Sequence, residues 1–185
     1  MFGDEDTQPT LCGECRHTPQ PWGTLAFHGV YAGTLRDLIL GYKFNNGIGR
    51  TRLLADMAYT SFIKGQLETP DIIIPVPLHT RRLLWRGFNQ SKEICHTLRN
   101  RLERPILTNG LVRIRHTQPQ TRLDRKERKE NIKAAFATKT SLVKGKTVLL
   151  VDDVYTTGAT LRECTRTLKQ AGVAQVDVLV LAKGL

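Results

Sequence analysis

A chain of 185 residues that is 40% hydrophobic and 24% charged can build one domain with its own core and is too aliphatic to be disordered throughout. Its 28 basic against 17 acidic residues, a formal net charge of +11, point to an anionic partner: nucleic acid, a phosphorylated small molecule or an acidic membrane surface. No apolar run reaches the ~20 residues of a membrane span, and Met1 to Thr10 is polar with Asp4, Glu5 and Asp6, so a cytoplasmic chain without membrane insertion is expected.

Residues 1–23 are polar, rich in Pro and Gly, and hold the pair Cys12 and Cys15; they read as an N-terminal appendage to a domain over residues 24–185. Leu25 to Tyr31 predicts a strand. Leu35, Leu38, Ile39 and Tyr42 then carry helical spacing up to a Gly-rich break at Asn46 to Gly49. A second helical stripe follows in Leu53, Leu54, Met57, Ala58 and Phe62. Asp71 to Pro77 is a short apolar run bounded by prolines, a buried strand ending in a loop.

Ile94, Leu98 and Leu102 predict a helix stopped by Pro105, and Leu111 to Arg115 a strand. Arg122 to Asn131 is mostly charged, a helix or a mobile segment, with Asp124 and Arg128 spaced as a helical ion pair. Lys146 to Val151 predicts a buried strand, followed by a turn and a helix carrying Leu161, Cys164, Leu168 and Ala171. Gly172 ends that helix, and Val176 to Leu181 is a last strand. Strands alternating with helices predict an α/β fold, a mostly parallel sheet flanked by helices, with ligands beyond the carboxyl ends of the strands. Cys95 and Cys164 fall on helical stripes and read as buried free thiols.

The charge is unevenly placed. Residues 81–135 hold fifteen basic and five acidic side chains, so almost the whole excess lies in that middle third. This makes a membrane surface the weakest of the three partners.

The most informative string runs from Val148 through Asp152, Asp153, Val154, Tyr155, Thr156, Thr157, Gly158 and Ala159 to Thr160. A buried strand delivers two carboxylates to its carboxyl end, a hydroxyl-rich turn with one glycine follows, and a helix begins. Gly158 allows close backbone approach, and a helix N-terminus offers unpaired amides and the positive end of the dipole to a phosphate. The carboxylates would repel that phosphate, so they suit hydroxyl groups of the same ligand; a sugar phosphate satisfies both halves.

This string resembles the ribosyl-phosphate signature of the type I phosphoribosyltransferases, which bind phosphoribosyl pyrophosphate (PRPP). The resemblance implies that fold, with Asp152 and Asp153 on the ribose hydroxyls and Thr156, Thr157, Gly158, Ala159 and Thr160 on the 5-phosphate. Further strings narrow it: Ile74-Pro75-Val76-Pro77-Leu78-His79, then Arg86-Gly87-Phe88-Asn89-Gln90-Ser91, then Arg113, Arg115, Thr117, Gln120, Leu123, Arg128, Asn131 and Phe136. With Tyr42-Lys43-Phe44 they resemble the ComF/GntX family of phosphoribosyltransferase-like competence proteins. Leu84 stands where that family often repeats arginine.

By that resemblance, Pro77, Leu78, His79, Arg81 and Arg82 meet the pyrophosphate of PRPP or another ribose phosphate. Arg86, Arg113, Arg115 and Arg128 form a basic hood or a track for single-stranded DNA, and Mg2+ accompanies the pyrophosphate. His79 is open to three roles: proton carrier, pyrophosphate contact or loop-shaping hydrogen bonder. Trp85 and Phe88 lie among the arginines and either stack a base or pack a helix start, packing being the favoured reading. The family's N-terminal zinc ribbon has two cysteine pairs; Cys12 and Cys15 match the second, an incomplete zinc site. The expected function is phosphoribosyl transfer with release of pyrophosphate, linked to DNA uptake. The rival is a non-catalytic single-stranded DNA-binding module or a PRPP sensor.

Overall fold

The computed structural model describes residues 19–44, 47–115, 127 and 131–184. In chain order they form β1 (Leu25–Val30), α1 (Gly33–Phe44), a 3-10 turn (Gly47–Arg50), α2 (Thr51–Lys64), β2 (Ile72–Pro75), α3 (Thr80–Arg86) and α4 (Gln90–Leu102). Then come β3 (Val112–Arg113), β4 (Phe136–Ala137), α5 (Thr140–Val143), β5 (Thr147–Tyr155), α6 (Ala159–Gln170) and β6 (Gln175–Lys183).

Four strands make a parallel sheet in the order β1-β6-β5-β2. A bridge from Ile73 to Ile106 continues it past β2, with the Ile73 N–H on the Pro105 carbonyl and the Leu107 N–H on the Ile73 carbonyl, each at 2.9 Å. Strand alternation drives the layering. Ile72 and Ile74, Val148 and Leu150, and Val176, Val178 and Val180 enter one buried cluster with Leu161, Cys164 and Leu168 of α6. Ile73, Leu149, Val151, Leu179 and Leu181 enter the other, with Ile39 and Tyr42 of α1, Leu54 and Phe62 of α2, and Ile94 and Leu98 of α4. Both faces are covered, which is why these strands read as continuous apolar runs.

After β2 the chain moves outward to the Ile106 segment, and after β5 it moves to β6 on the other side. The winding therefore reverses between β2 and β5, and in such sheets the crevice opens at that reversal, beyond the strands' carboxyl ends. Pro77 to His79 and Thr156 to Gly158 leave the sheet there.

Three elements differ from the expected ones. β5 runs four residues past Val151 because β6 pairs with it throughout, Asp152 with Val180 and Tyr155 with Lys183. The segment expected as a loop over Pro77 to Arg82 turns into α3 at Thr80, because His79 caps it through Nδ1, accepting the Arg81 N–H at 3.2 Å, and Gly87 closes it in the left-handed conformation. The strand expected over Leu111 to Arg115 is two residues long and pairs antiparallel with β4, apart from the main sheet. Cys95 and Cys164 are buried and free, and burial pushes both thiols well up. Among the described residues, no helix is long and apolar enough to cross a membrane.

Candidate functional site

Pairing between β2 and β5 ends at Pro75 and Val151, with a last bond from the Val76 N–H to the Val151 carbonyl at 2.9 Å. Past that point β5 keeps β6 on one side only, so Asp152 and Asp153 emerge where β2 has left the sheet. The start of α4 fills part of the space. Asn89 donates from Nδ2 to the Val76 carbonyl at 3.0 Å and accepts the Ser91 N–H on Oδ1 at 3.0 Å, which ties the helix cap to the end of β2. Ser91 Oγ then lies 3.2 Å from Asp152 Oδ1, which also accepts the Asp153 N–H at 2.9 Å.

Lys43, in the last turn of α1, places Nζ 2.9 Å from Asp153 Oδ2, and the two side chains are 16% and 15% exposed. Tyr42 beside it is fully buried, bonded to Thr51 Oγ1 at 3.1 Å and set edge-on to the Phe88 ring at 5.3 Å. Burial is the largest cause that raises the Tyr42 phenol to about 12, so it stays protonated. One lysine against two carboxylates leaves a negative site. Desolvation first, and then the charge on Asp153, push the Asp152 carboxyl up to about 7, against the opposing pull of the Asp153 N–H, Lys43 and Ser91.

The turn after β5 is set by Gly158, at φ +69, the cap residue of α6. The Tyr155 ring occupies the space beside it: a Cβ at Gly158 would stand 2.6 Å from Tyr155 Cε2. Thr156 is exposed, Ala159 is buried, and Thr157 and Thr160 are half-buried. Thr157 Oγ1 is buried with no hydrogen-bond partner among the described residues, and the first turn of α6 carries no acidic residue. An orphaned hydroxyl beside open helix amides is a donor set for an anion.

Asp152, Asp153 and Thr156 to Thr160 thus follow the carboxyl end of the β5 pairing, and the loop at Pro77 to His79 follows that of its neighbour β2. His79 shapes the loop by capping α3 through Nδ1. Arg81 is exposed in α3; the side chain of Arg82 lies outside the described residues. Three arginines of the expected basic hood have partners within the chain. Arg86 donates to Gln90 Oε1 at 2.8 Å. Arg113 lies over the Phe136 ring at 5.5 Å, and Arg115 donates to the Asn131 and Lys133 carbonyls at 3.0 and 2.5 Å. Arg128, Cys12 and Cys15 lie outside the described residues. Phe88 packs as expected, whereas Trp85 is 72% exposed.

Lys43, Asn89 and Ser91 carry roles that the sequence left unassigned, although each sits inside a string that bore the family resemblance. A surface depression of about 480 Å3, lined by Arg99, Asn100, Glu103, Arg104 and Pro105, lies at the far end of α4 from Ser91 and is no part of this site.

A family model described as a phosphoribosyl transferase domain matches residues 98–185, which include the carboxylate pair and the turn after it. Competence protein F of Haemophilus influenzae is 36% identical over 178 residues, covering 93% of this chain and 78% of that protein. The chain belongs to the ComF/GntX family of phosphoribosyltransferase-like competence proteins. Another relative in this range is DNA utilization protein YhgH of Escherichia coli K12, 36% identical over 180 residues, covering 94% of this chain and 78% of that protein. Competence protein ComFC of Bacillus subtilis is 29% identical over 145 residues, 78% of this chain and 58% of that one.

The ComF/GntX chain has the type I phosphoribosyltransferase fold, a parallel sheet flanked by helices. Solved structures like it include the allosteric regulatory enzyme of purine biosynthesis, at 19% identity and a TM-score of 0.48 over 72% of this chain. Glutamine PRPP amidotransferase from B. subtilis, complexed with ADP and GMP, aligns at 23% identity and a TM-score of 0.47 over 71% of this chain. The chain spans 26% of the length of each of these two.

Proposed function

We propose that this ComF/GntX protein binds PRPP at the crevice between β2 and β5 and, in the cytoplasm, transfers the phosphoribosyl group to a nitrogen nucleophile with release of pyrophosphate. The observation that carries the reading is the half-buried carboxylate pair, Asp152 and Asp153, running directly into a turn with an orphaned buried hydroxyl at Thr157. Ribose hydroxyls donate to the carboxylates, and the 5-phosphate accepts from the amides and hydroxyls of residues 156–160.

The pair also fits Mg2+, which takes hard oxygen ligands and is held by one or two carboxylates together with substrate phosphates. The oxygens of Asp152 and Asp153 are ligands of that kind, and Lys43, 2.9 Å from Asp153 Oδ2, offsets one of the two charges. When bound, Mg2+ would neutralise charge on the pyrophosphate leaving group. The chain's own part is to fix the ribose by Asp152 and Asp153, with Ser91 and Lys43 holding those carboxylates, and to fix the 5-phosphate on the α6 turn. The anomeric carbon is then positioned while its bond to pyrophosphate breaks, the electron pair leaves with that oxygen, and the bond to the nucleophile forms.

One observation favours a second reading, a module for single-stranded nucleic acid. Leu84 and Trp85 are 78% and 72% exposed on α3, beside the exposed Arg81. An aromatic among cations is a platform for an unpaired base.

One experiment separates the two: pyrophosphate release from Mg2+ and PRPP, screened across bases, amines and oligonucleotides, with oligonucleotide affinity followed against salt. Transfer predicts release with at least one nitrogen acceptor. Failure of every acceptor, with steeply salt-dependent oligonucleotide binding, would replace it with the second reading.

A further inference from the structure

Arg162 sits in the first turn of α6, where a cation opposes the helix dipole. Its side chain turns back along the helix. NH1 donates to the Thr157 carbonyl at 2.5 Å, and Nε donates to Gln20 Oε1 at 2.8 Å. The first bond ties the carbonyl of the turn to a guanidinium. The second reaches across to the segment that leads in from the N-terminus.

That segment touches the same turn a second time. Trp22, 8% exposed, stands edge-on to the Tyr155 ring at 6.1 Å and 88°, and Tyr155 is the ring packed against Gly158. The segment is anchored just beyond, by the Gly23 N–H on the Val176 carbonyl at 2.9 Å and the Thr24 N–H on Asp177 Oδ1 at 2.7 Å. A short strap fixed to β6 therefore grips the turn at two points, a carbonyl and a ring.

We propose that Gln20, Trp22 and Arg162 are positioning residues of the phosphate turn, and that its occupancy is transmitted through them to the N-terminal segment. The proposal rests on the reading of residues 156–160 as a phosphate site. Arg162 holds the Thr157 carbonyl, which would repel an anion, and so keeps the amides of the turn available. Its own charge, costly beside bare amides, is favourable once a phosphate sits there. Gln20 fixes the guanidinium in that pose, and Trp22 fixes the ring that shapes the Gly158 bend. None of the three needs to touch the ligand.

The test uses the full chain labelled with 5-fluorotryptophan, with ribose 5-phosphate and pyrophosphate as separate probes, read by calorimetry and 19F NMR. The two tryptophan resonances are assigned with Trp85→Phe. Ribose 5-phosphate is expected to shift the Trp22 resonance, and pyrophosphate to leave it in place. Affinity for ribose 5-phosphate should fall about tenfold in Arg162→Met and less in Gln20→Ala, with partial recovery in Arg162→Lys. Pyrophosphate affinity should hold in all three. Ribose 5-phosphate affinity within twofold of the parent in every variant, with an unmoved Trp22 resonance, overturns the strap and leaves the site standing. Absence of ribose 5-phosphate binding to the parent chain overturns both.

Discussion

At pH 8 the Asp152→Asn variant will unfold at a higher temperature than the parent chain, and at pH 4 the two will differ little. The unfolded Asp152 ionises near 3.8, whereas the folded one holds its proton to about 7. Between those values the folded state binds the extra proton, so the parent loses stability as pH rises through that window and the loss levels off above it. Asparagine cannot ionise, and its oxygen still accepts from Ser91 and from the Asp153 N–H. Every factor of ten in proton affinity between the folded and unfolded carboxyl corresponds to about 1.4 kcal/mol. The gap from 3.8 to about 7 is roughly a thousandfold in proton affinity, so its relief stabilises the variant by at most about 4 kcal/mol. For a chain of this size that is roughly 2–4 °C per kcal/mol. Melting curves of both proteins from pH 4 to 8 check it; equal melting temperatures at pH 8 would mean that the carboxyl is not held up. The same variant should bind ligand worse, the exchange of stability for function common at active sites.

Gly158→Val is expected to have the opposite effect on stability and to abolish ribose 5-phosphate binding. At φ +69 any side chain carries a left-handed penalty of about 1–2 kcal/mol, and the new Cβ would stand 2.6 Å from the Tyr155 ring. That ring is pinned by Trp22, so it cannot yield without opening the core. Gly145→Ala supplies the control. It too has a positive φ, +72, but nothing lies within 4 Å of its would-be Cβ, and it is remote from the turn. Urea denaturation should show the strain alone in Gly145→Ala, ~1 kcal/mol, and a loss of ~3 kcal/mol or more in Gly158→Val. Equal losses would show that the close approach to Tyr155 costs nothing.

What was legible in the sequence follows from how local each signal is. The apolar runs at Ile72 to Ile74 and Val148 to Val151 announce buried parallel strands, and the stripes of α1, α2, α4 and α6 announce their helices. The turn from Asp152 to Thr160 is contiguous, so its chemistry could be read directly. α3 was not legible, because Thr80 to Arg86 lacks a continuous apolar face and its stability comes from a histidine cap and a glycine stop. The roles of Lys43 and Ser91 were hidden for a different reason. They reach the carboxylates from elements about 110 and 60 residues away in the chain, and only the order of strands brings them there. Charge counting could not show that Arg113 lies over the Phe136 ring or that Arg115 donates to the Asn131 and Lys133 carbonyls, since such contacts look the same in sequence as a free cation.

The central claim is that Asp152 and Asp153 hold the ribose of PRPP. It is tested most directly by calorimetric titration of PRPP, with and without Mg2+, into the parent chain and into Asp152→Asn/Asp153→Asn. Charge-assisted hydrogen bonds are worth about 1.5–3 kcal/mol each, so losing two should weaken binding by about a hundredfold or more. The account predicts Mg2+-dependent binding to the parent and that loss in the double variant. Equal affinity in the two proteins would contradict it.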